Sequence, residues 1–325
     1  MVIDSEDAPL FAETTPWEAV QQRLEEIGIS DGLPLVPPTT RRLELMLAGV
    51  VAPTRSYGLV PPLFGDLTAE AVAYQAVLAG CVPAELPIVL TAAAACLKPR
   101  FNLLGIQTTT GTATVAVLVH GPIGRIIGMN SGTNCLGPGN RANACIGRAL
   151  QLVLANIGGA RPGISDMATM GQPGKYTFCL AEGGDVALPP LHVRRGFAAE
   201  QSAVTVLGVS GTMEVLPIGG DASPAAVLRP MVAALHGAGE ASCGGRHQFT
   251  CEQFFLLPPE IAHLLAKAGW NVAEVQEFLF RAGSPTASSP DDINPVLTGG
   301  AGVKMTYLPL WAGGTLSVTS GLVQP

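Results

Sequence analysis

The chain has 325 residues, of which 48% are hydrophobic and only 13% charged, and its net charge is −7. This length suits one large or two ordinary domains, and so little charge is typical of a chain with much buried surface, from which we expect a homo-oligomer. The basic residues form no cluster larger than the pairs Arg41–Arg42 and Arg194–Arg195, which argues against a nucleic-acid partner, and no apolar run is long enough to cross a bilayer.

Two further features bear on the compartment. The N-terminus is acidic and lacks the basic region of a signal peptide, so we expect none. The seven cysteines are an odd number, lie far apart and stand among apolar residues. This distribution is typical of reduced thiols rather than of a disulfide framework, and we expect a cytoplasmic protein.

The hydrophobic pattern predicts alternating helices and strands along the whole chain. In the first half, helices are predicted at 17–27 and 40–47, a helix pair within 68–97, strands at 114–119 and 125–128, a helix at 141–157, a loop at 159–175 and a strand at 176–181. In the second half, strands are predicted at 203–208 and 213–217, a helix at 223–236, a strand at 254–257, helices at 259–268 and 272–281, a loop at 283–295 and strands at 306–310 and 316–319.

This alternation predicts an α/β fold. The order strand, strand, Gly-rich loop, helix occurs in both halves, which leads to the hypothesis of an internal duplication with mixed sheets and helix pairs. Three regions follow from it: an N-terminal arm and helix over 1–30, a first lobe over 31–182 and a second lobe over 183–325. A cleft between two lobes is where small molecules usually bind.

The segment 129–159 is the strongest functional signal in the first lobe. It begins as a loop rich in Gly and Asn and continues as an amphipathic helix, with Asn140 predicted as N-cap and Gly158 as a left-handed residue after the helix. A helix start offers free backbone N–H groups, and Arg141 adds a full positive charge there. We therefore expect a binding site for a phosphate or carboxylate; the alternative is a well-capped core helix after a polar loop. The residues predicted to bind the anion are Asn130, Ser131, Asn140, Arg141, Asn143 and Lys175.

Three residues near this segment are candidates for catalysis. His120 ends a predicted strand, where α/β proteins collect the polar groups of their sites, and could act as an acid or base. Glu182 stands at the end of the next predicted strand and could act as a base. Cys135 lies close in sequence to the helix start and Arg141, both of which favour a thiolate, so it is a candidate nucleophile.

Two weaker patterns suggest cofactors, and we predict none from them. The run from Gly137 to Ala142 matches the dinucleotide fingerprint G-x-G-x-x-A, but it is a single match with Pro138 inside the turn, so NAD or FAD is an alternative only. Cys243, His247 and Cys251 have the spacing of zinc ligands, but no fourth ligand is apparent, so zinc is likewise an alternative.

Three segments together resemble a bacterial family. They are Asp31-Gly-Leu-Pro-Leu-Val-Pro-Pro-Thr39, Gly128-Met-Asn-Ser-Gly132, and 137–159 continuing to Gly171-Gln-Pro-Gly-Lys-Tyr-Thr-Phe-Cys179. The chain resembles the proteins associated with small proteins that carry a thiol- or selenol-containing UGSC motif. The resemblance implies a cytoplasmic α/β protein that works with a small thiol or selenol protein. The Cys-Gly-Ser-Cys form of that motif is absent here, so the redox-active centre would be on another chain.

The sequence and the resemblance together favour an enzyme that acts on a small anionic substrate. We expect this substrate to be a carboxylate. The reaction would cleave a carbon–heteroatom bond, either by elimination, as in a lyase, or by thiol-dependent reduction. Two alternatives are a non-catalytic subunit that binds the partner of a thiol or selenol enzyme, and a nicotinamide or flavin oxidoreductase that uses the loop at 137–139.

Overall fold

The computed structural model describes residues 8–184, 188–217, 219–243, 252–283 and 287–324. Within these residues the helices are α1 Trp17–Glu26, α2 Thr40–Met46, α3 Ala69–Ala79, α4 Leu86–Cys96, α5 Leu103–Thr108, α6 Pro122–Ile126, α7 Arg141–Asn156, α8 Leu191–Arg194, α9 Pro224–Cys243, α10 Pro259–Lys267 and α11 Val272–Gly283. The strands are β1 Ser56–Val60, β2 Gly65–Thr68, β3 Thr114–His120, β4 Cys179–Ala181, β5 Ala203–Val209, β6 Met213–Val215, β7 Gln253–Leu257, β8 Ile293–Leu297, β9 Met305–Pro309 and β10 Val318–Gly321.

The fold is α/β and contains two four-stranded mixed sheets beside the β1–β2 hairpin. The first sheet has the order β10-β5-β3-β4 and the second the order β6-β9-β7-β8. In each sheet one pair is parallel, β3 with β4 and β7 with β8, and the other neighbours are antiparallel. The two sheets therefore share one pattern of strand directions.

The two sheets pack face to face. Because side chains alternate along a strand, Ala116 and Leu118 of β3 point towards the second sheet, whereas Val117 between them points towards the helices. From the second sheet, Phe254 and Val296 enter the same apolar layer. Each sheet thus buries both faces, which is why β3, β5 and β7 read as nearly continuous apolar runs.

Helices cover the outer face of each sheet, which gives four layers in the order helices, sheet, sheet, helices. On the first sheet lie α4 and α7, and α3 packs against both of them; α3 and α4 are largely apolar and almost wholly buried. On the second sheet lie α9, α10 and α11, through residues such as Leu228, Leu265 and Leu279. The core is consequently divided into two helix–sheet layers and one layer between the sheets.

Helix α7 approaches the first sheet closely, and this approach requires a glycine at position 147. A Cβ atom at Gly147 would lie 2.8 Å from the backbone nitrogen of Phe178, so only glycine fits there. The helix is capped as predicted: the side chain of Asn140 accepts a hydrogen bond from the backbone N–H of Asn143 at 2.8 Å. At the other end Gly159, with a φ of +76°, takes the left-handed conformation that was expected of Gly158.

Four features of the fold differ from what the sequence led us to expect. Residues 125–128 form the end of α6 and a turn rather than a strand, because Pro122 at the first helical position favours a helix there. Residues 293–295, the end of the loop expected over 283–295, belong to strand β8, and the β1–β2 hairpin was not expected. The chain does not divide into two separate sheets at Glu182, where the boundary between the lobes was expected. Strands β5 and β10, which follow Glu182, complete the sheet that β3 and β4 begin. The internal duplication stays a prediction.

Candidate functional site

The layer between the sheets changes from apolar to polar at one end of the first sheet. His120 continues the face of β3 that carries Ala116 and Leu118, and Thr205 lies on the matching face of β5. In β10, Thr319 is the direct cross-strand neighbour of Thr205. Three adjacent strands thereby bring three polar side chains into one row, in which His120 and Thr205 are buried and Thr319 is half-buried.

His120 is completely buried and both its ring nitrogens have partners. Its Nδ1 lies 2.6 Å from Oε2 of Glu182, and its Nε2 lies 2.6 Å from Oγ1 of Thr205. The Glu182 carboxylate also accepts a hydrogen bond from the backbone N–H of Leu191 at 3.0 Å. An ionised carboxylate can only accept, so Nδ1 carries a proton beside it, and in the tautomer with its one proton on Nδ1 the ring accepts from the threonine hydroxyl at Nε2.

The hydrogen bonds continue from Thr205 towards the surface. Its hydroxyl lies 2.7 Å from that of Thr319, which accepts a hydrogen bond from Nη1 of Arg195 at 2.8 Å. The other terminal nitrogen of Arg195 donates to Ser317 at 2.7 Å and lies 3.4 Å from the carboxylate of Glu252. We call the row Glu182, His120, Thr205 and Thr319 the polar row; Arg195 stands at its outer end.

A cavity of about 1030 Å³ opens at this outer end, and we call it the basic cavity. Its charged lining residues are Lys98, Arg100, Arg194, Arg195, Glu252 and Asp291. Four cationic against two anionic side chains make it locally positive in a chain whose net charge is −7. Such a surface attracts small anions.

Of the two arginines on α8 that line this cavity, Arg194 is the one without a carboxylate within ion-pair distance among the described residues. Its guanidinium donates to the backbone carbonyls of Pro189, at 3.1 Å, and Pro295. Among the described residues it makes no ion pair within 4 Å. Burial lowers the pKa of Arg194 to about 10, which still leaves it charged at neutral pH. A buried guanidinium without a carboxylate is stabilised when an anion binds beside it.

His192, on α8, stacks on His120 with 5.4 Å between the ring centroids. Its side chain is buried, and neither ring nitrogen makes a well-formed hydrogen bond within the described part of the chain. Burial, helped by the neighbouring His120 ring, lowers its pKa, and Glu182 only partly opposes this. At neutral pH His192 is therefore uncharged.

Among the described residues, the group that could hold a metal ion consists of His120, Glu182 and His192. One ligand atom from each of His120, Glu182 and His192 lies within 4.8 Å of the other two. Two ligands of one zinc ion are separated by about 3.3 Å, given metal–ligand bonds of about 2.0 Å and tetrahedral angles. The 2.6 Å between His120 and Glu182 is shorter, so these two side chains would have to separate before an ion could bind.

We expect the free energy of unfolding to fall as the pH drops below about 6.5, the ordinary pKa of histidine, and His192 to cause part of this fall. Because its pKa is lowered by folding, the unfolded chain binds more protons between the two pKa values, and acid favours unfolding. Each unit of difference between the pKa in the folded chain and the pKa in the unfolded chain changes the free energy of unfolding by about 1.4 kcal/mol. His192→Phe keeps a ring against His120 and removes this titration.

The measurement is the urea midpoint as a function of pH, compared between the natural chain and His192→Phe. His120 and Glu182 also face this ring, so the difference between the two curves isolates His192. The variant should show a flatter acid limb, and His236→Phe, at an exposed position on α9, should not. An acid limb of unchanged slope in His192→Phe would contradict the lowered pKa.

The residues predicted to bind an anion at the start of α7 are occupied with one another and with the fold. Arg141 forms a two-pronged ion pair with Glu85, with N–O distances of 2.6 and 3.1 Å. The Asn143 side chain is buried and bonds the backbone of Asn130 and Cys135. Asn140 caps the helix, and its amide donates to Gly128 at 3.0 Å. This start of α7 thus meets its own hydrogen-bonding needs.

The other predicted residues lie apart from that helix start. Ser131 contacts the second sheet through its backbone carbonyl, which accepts hydrogen bonds from Gly299 and Thr298. Cys135 is buried, with its sulfur 3.7 Å from the hydroxyl of Thr298. Lys175 forms an ion pair of 2.5 Å with Asp166. Cys243, His247 and Cys251, the weak zinc alternative, lie outside the described side chains.

The structure thus brings together His120 and Glu182, and adds residues that the sequence did not single out. Thr205 stands in an otherwise apolar strand, which is a usable signal for a buried polar contact. Arg194 and Arg195 were noted only as a basic pair, and Thr319 and His192 carried no local signal. The dinucleotide-like run at 137–142 follows α6 and a loop rather than a strand, so it lacks the context that the fingerprint requires.

Comparison with known proteins adds no relative: no family model matches the chain, and no curated protein matches it. The five cysteines whose side chains are described are free. Within the described residues no single helix is long and apolar enough to cross a membrane, although the bent pair 83–96 and 99–108 passes that test when taken together.

Proposed function

We propose that the chain is an enzyme that binds a small carboxylate or phosphate in the basic cavity and exchanges a proton with it. One observation carries this proposal: an unbroken run of hydrogen bonds, each 2.6 or 2.7 Å long, joins the cavity wall at Thr319 to the buried Glu182 carboxylate. A purely structural polar contact does not need four groups in series. A proton relay uses such a series, because each hydroxyl can accept one proton and pass on another to the buried imidazole.

Substrate binding falls to the two arginines. Arg194 lacks a carboxylate partner within the described residues, and the terminal nitrogens of Arg195 already point at Thr319 and Ser317. A carboxylate held between these guanidinium groups would have its neighbouring carbon beside the threonine hydroxyl. Charge-assisted hydrogen bonds of this kind are the strong ones.

The relay would carry out an elimination. A proton on the carbon next to the carboxylate passes to the hydroxyl oxygen of Thr319, whose own proton moves to Thr205, and that of Thr205 moves to Nε2 of His120. The resulting imidazolium is stabilised by the Glu182 carboxylate. The electrons of the broken C–H bond form a carbon–carbon double bond, and the heteroatom leaves with the electrons of its own bond to carbon.

Elimination is better supported than thiol-dependent reduction by this chain. No cysteine of the described residues lines the basic cavity, and burial raises the pKa of Cys145 and of Cys179, which disfavours thiolates there. A reductase would need the thiol or selenol of a partner protein, as the family resemblance implies. We keep that partner, and with it a non-catalytic role, as the second proposal.

The oligomeric state and the cellular location of the chain are proposals as well. A homo-oligomer is supported by the low charge content and by exposed apolar side chains such as Val51 and Ile126, which are 90% and 72% exposed. A cytoplasmic location is supported by the free cysteines. The nicotinamide or flavin alternative has no support from the 137–142 loop.

The test follows hydrogen exchange by proton NMR in heavy water, with a panel of carboxylates that carry a hydroxyl, amino, thio or phospho group on the third carbon. We expect deuterium incorporation or alkene formation with a member of the panel. Thr319→Val, which removes one hydroxyl and keeps the shape, should lower this rate at least about 100-fold, the order of a general-base contribution. Thr319→Ser should restore it to within about tenfold.

Thr108→Val is the matched control, since Thr108 is exposed on α5 and bonds only within its own helix among the described residues. Equal rates in Thr319→Val and the natural chain would overturn the relay. Absence of turnover with the whole panel, together with malonate binding that Arg194→Gln does not weaken, would overturn the enzyme and its anion site.

A further inference from the structure

A second cavity, of about 930 Å³, lies at the opposite end of β3 from His120. It is enclosed by the start of β3 around Thr114, by the last turns of α7, and by the loop over 160–176. We call it the loop cavity. Its volume is in the range of pockets that hold drug-sized molecules. The polar row does not reach it, so it is separate from the site described above.

One charge in the wall of the loop cavity has no counter-ion. Asp31 pairs with Arg148 at 2.7 Å, and Asp166 pairs with Lys175 at 2.5 Å. Arg161 forms no ion pair within the described residues; one terminal nitrogen donates to Asn156 at 3.2 Å. Burial lowers the pKa of Arg161, but the group stays a cation. The cavity wall thus carries one uncompensated positive charge.

The same wall contains two unused hydrogen-bond donors. Nε of Arg161 and Nε2 of Gln107 are buried and have no hydrogen-bond partner among the described residues. Buried donors are normally paired, and an unpaired one costs about 1–3 kcal/mol. Both groups lack an acceptor, so the wall carries more hydrogen-bond donors than acceptors, and a carboxylate would meet Arg161 through its terminal nitrogens.

The rest of the lining is mostly apolar. The inner wall includes Leu152 and Leu154 of α7, and the outer wall includes Ile164, Met170 and Tyr176, which are all more than half exposed. Apolar side chains at a cavity mouth are costly in water and become buried when a ligand with an apolar body enters. The chemistry of the wall therefore calls for a carboxylate at one end of the ligand and a hydrocarbon body at the other.

We propose that the loop cavity binds an amphipathic monocarboxylate, with its carboxylate at Arg161 and its hydrocarbon body between α7 and the 160–176 loop. This site is independent of the basic cavity, where polar and charged residues dominate the lining, so a medium-chain acid distinguishes the two.

The test is isothermal titration calorimetry with octanoate and, as neutral probe of the same length, octanamide. We expect one octanoate bound per chain and at least tenfold weaker binding of octanamide. Arg161→Gln should weaken octanoate binding at least tenfold. Met170→Glu places a negative charge at the mouth, on a side chain that is 87% exposed and so does not support the fold, and should also weaken binding, whereas Met170→Gln should not.

Arg100→Gln is the control for the other site, because Arg100 is exposed and lines the basic cavity. It should leave octanoate binding unchanged. If Arg161→Gln fails to fold, the comparison of Met170→Glu with Met170→Gln decides alone. Equal affinities for octanoate and octanamide, or octanoate binding that responds to Arg100→Gln and not to the Met170 pair, would overturn the proposal.

Discussion

Replacing Arg141 with alanine is expected to lower the free energy of unfolding by about 2–3 kcal/mol, and to leave anion binding in the basic cavity unchanged. The reason is Glu85, whose side chain is completely buried while that of Arg141 is half exposed. Without the guanidinium, the carboxylate keeps one backbone N–H, that of Val82 at 2.9 Å, as its partner among the described residues. Water can reach the half-exposed side, so the loss should be smaller than the about 3–5 kcal/mol measured for fully buried pairs.

A double-mutant cycle with Glu85→Gln makes this prediction specific. The amide of glutamine is neutral, so in that background Arg141→Ala should cost less than about 1 kcal/mol, the usual scale of an exposed contact. Urea unfolding of the four proteins gives the coupling energy. A small loss of stability in Arg141→Ala, accompanied by weaker sulfate binding, would instead favour the anion site that the sequence predicted at the start of α7.

Arg141 also shows where sequence reasoning reaches its limit. The N-cap at Asn140 could be predicted because capping depends on neighbours three residues apart. The partner of Arg141 could not, because Glu85 is distant in sequence and precedes another helix. A cation at a helix start looks available for a ligand until the tertiary structure shows what faces it.

The candidate site likewise contains some residues that could be selected from the sequence and others that could not. His120 and Glu182 could each be selected because each ends a predicted strand, and β3 and β4 are parallel neighbours whose carboxyl ends meet. Thr319 could not be selected, since its neighbour Thr205 is more than a hundred residues away and only the antiparallel pairing of β10 with β5 joins them. The arginines of the basic cavity depend on the same long-range pairing.

The errors in the fold arise where tertiary contacts decide the structure. Strand β8 contains Pro295, which argues against a central strand, but β8 is an edge strand beside β7, where a missing N–H is tolerated. The division into two lobes assumed that sequence neighbours form one sheet, whereas β6 joins the second sheet directly after β5 has joined the first. Strand patterns give the class of the fold, and the assignment of strands to sheets needs tertiary contacts.

The other large effect is expected from His120→Leu, which should cost about 3–5 kcal/mol of folding stability, as for other buried pairs that lose one partner. The substitution leaves the Glu182 carboxylate, whose side chain is 2% exposed, with the backbone N–H of Leu191 as its described partner. It also leaves the hydroxyl of Thr205 without its nitrogen acceptor. Replacing both members, in His120→Leu with Glu182→Leu, should recover part of the loss, because two apolar side chains leave no buried charge behind.

Urea unfolding of the two single variants and the double variant measures this coupling, and His236→Leu, at an exposed position on α9, is the control expected to change stability by less than about 0.5 kcal/mol. If the double variant folds as stably as the natural chain while hydrogen exchange with the carboxylate panel disappears, the pair serves the proton relay and contributes little net stability. A double variant that is less stable than either single one would mean that the two groups support the fold independently of each other. That result would contradict a coupled acid–base pair at the inner end of the polar row.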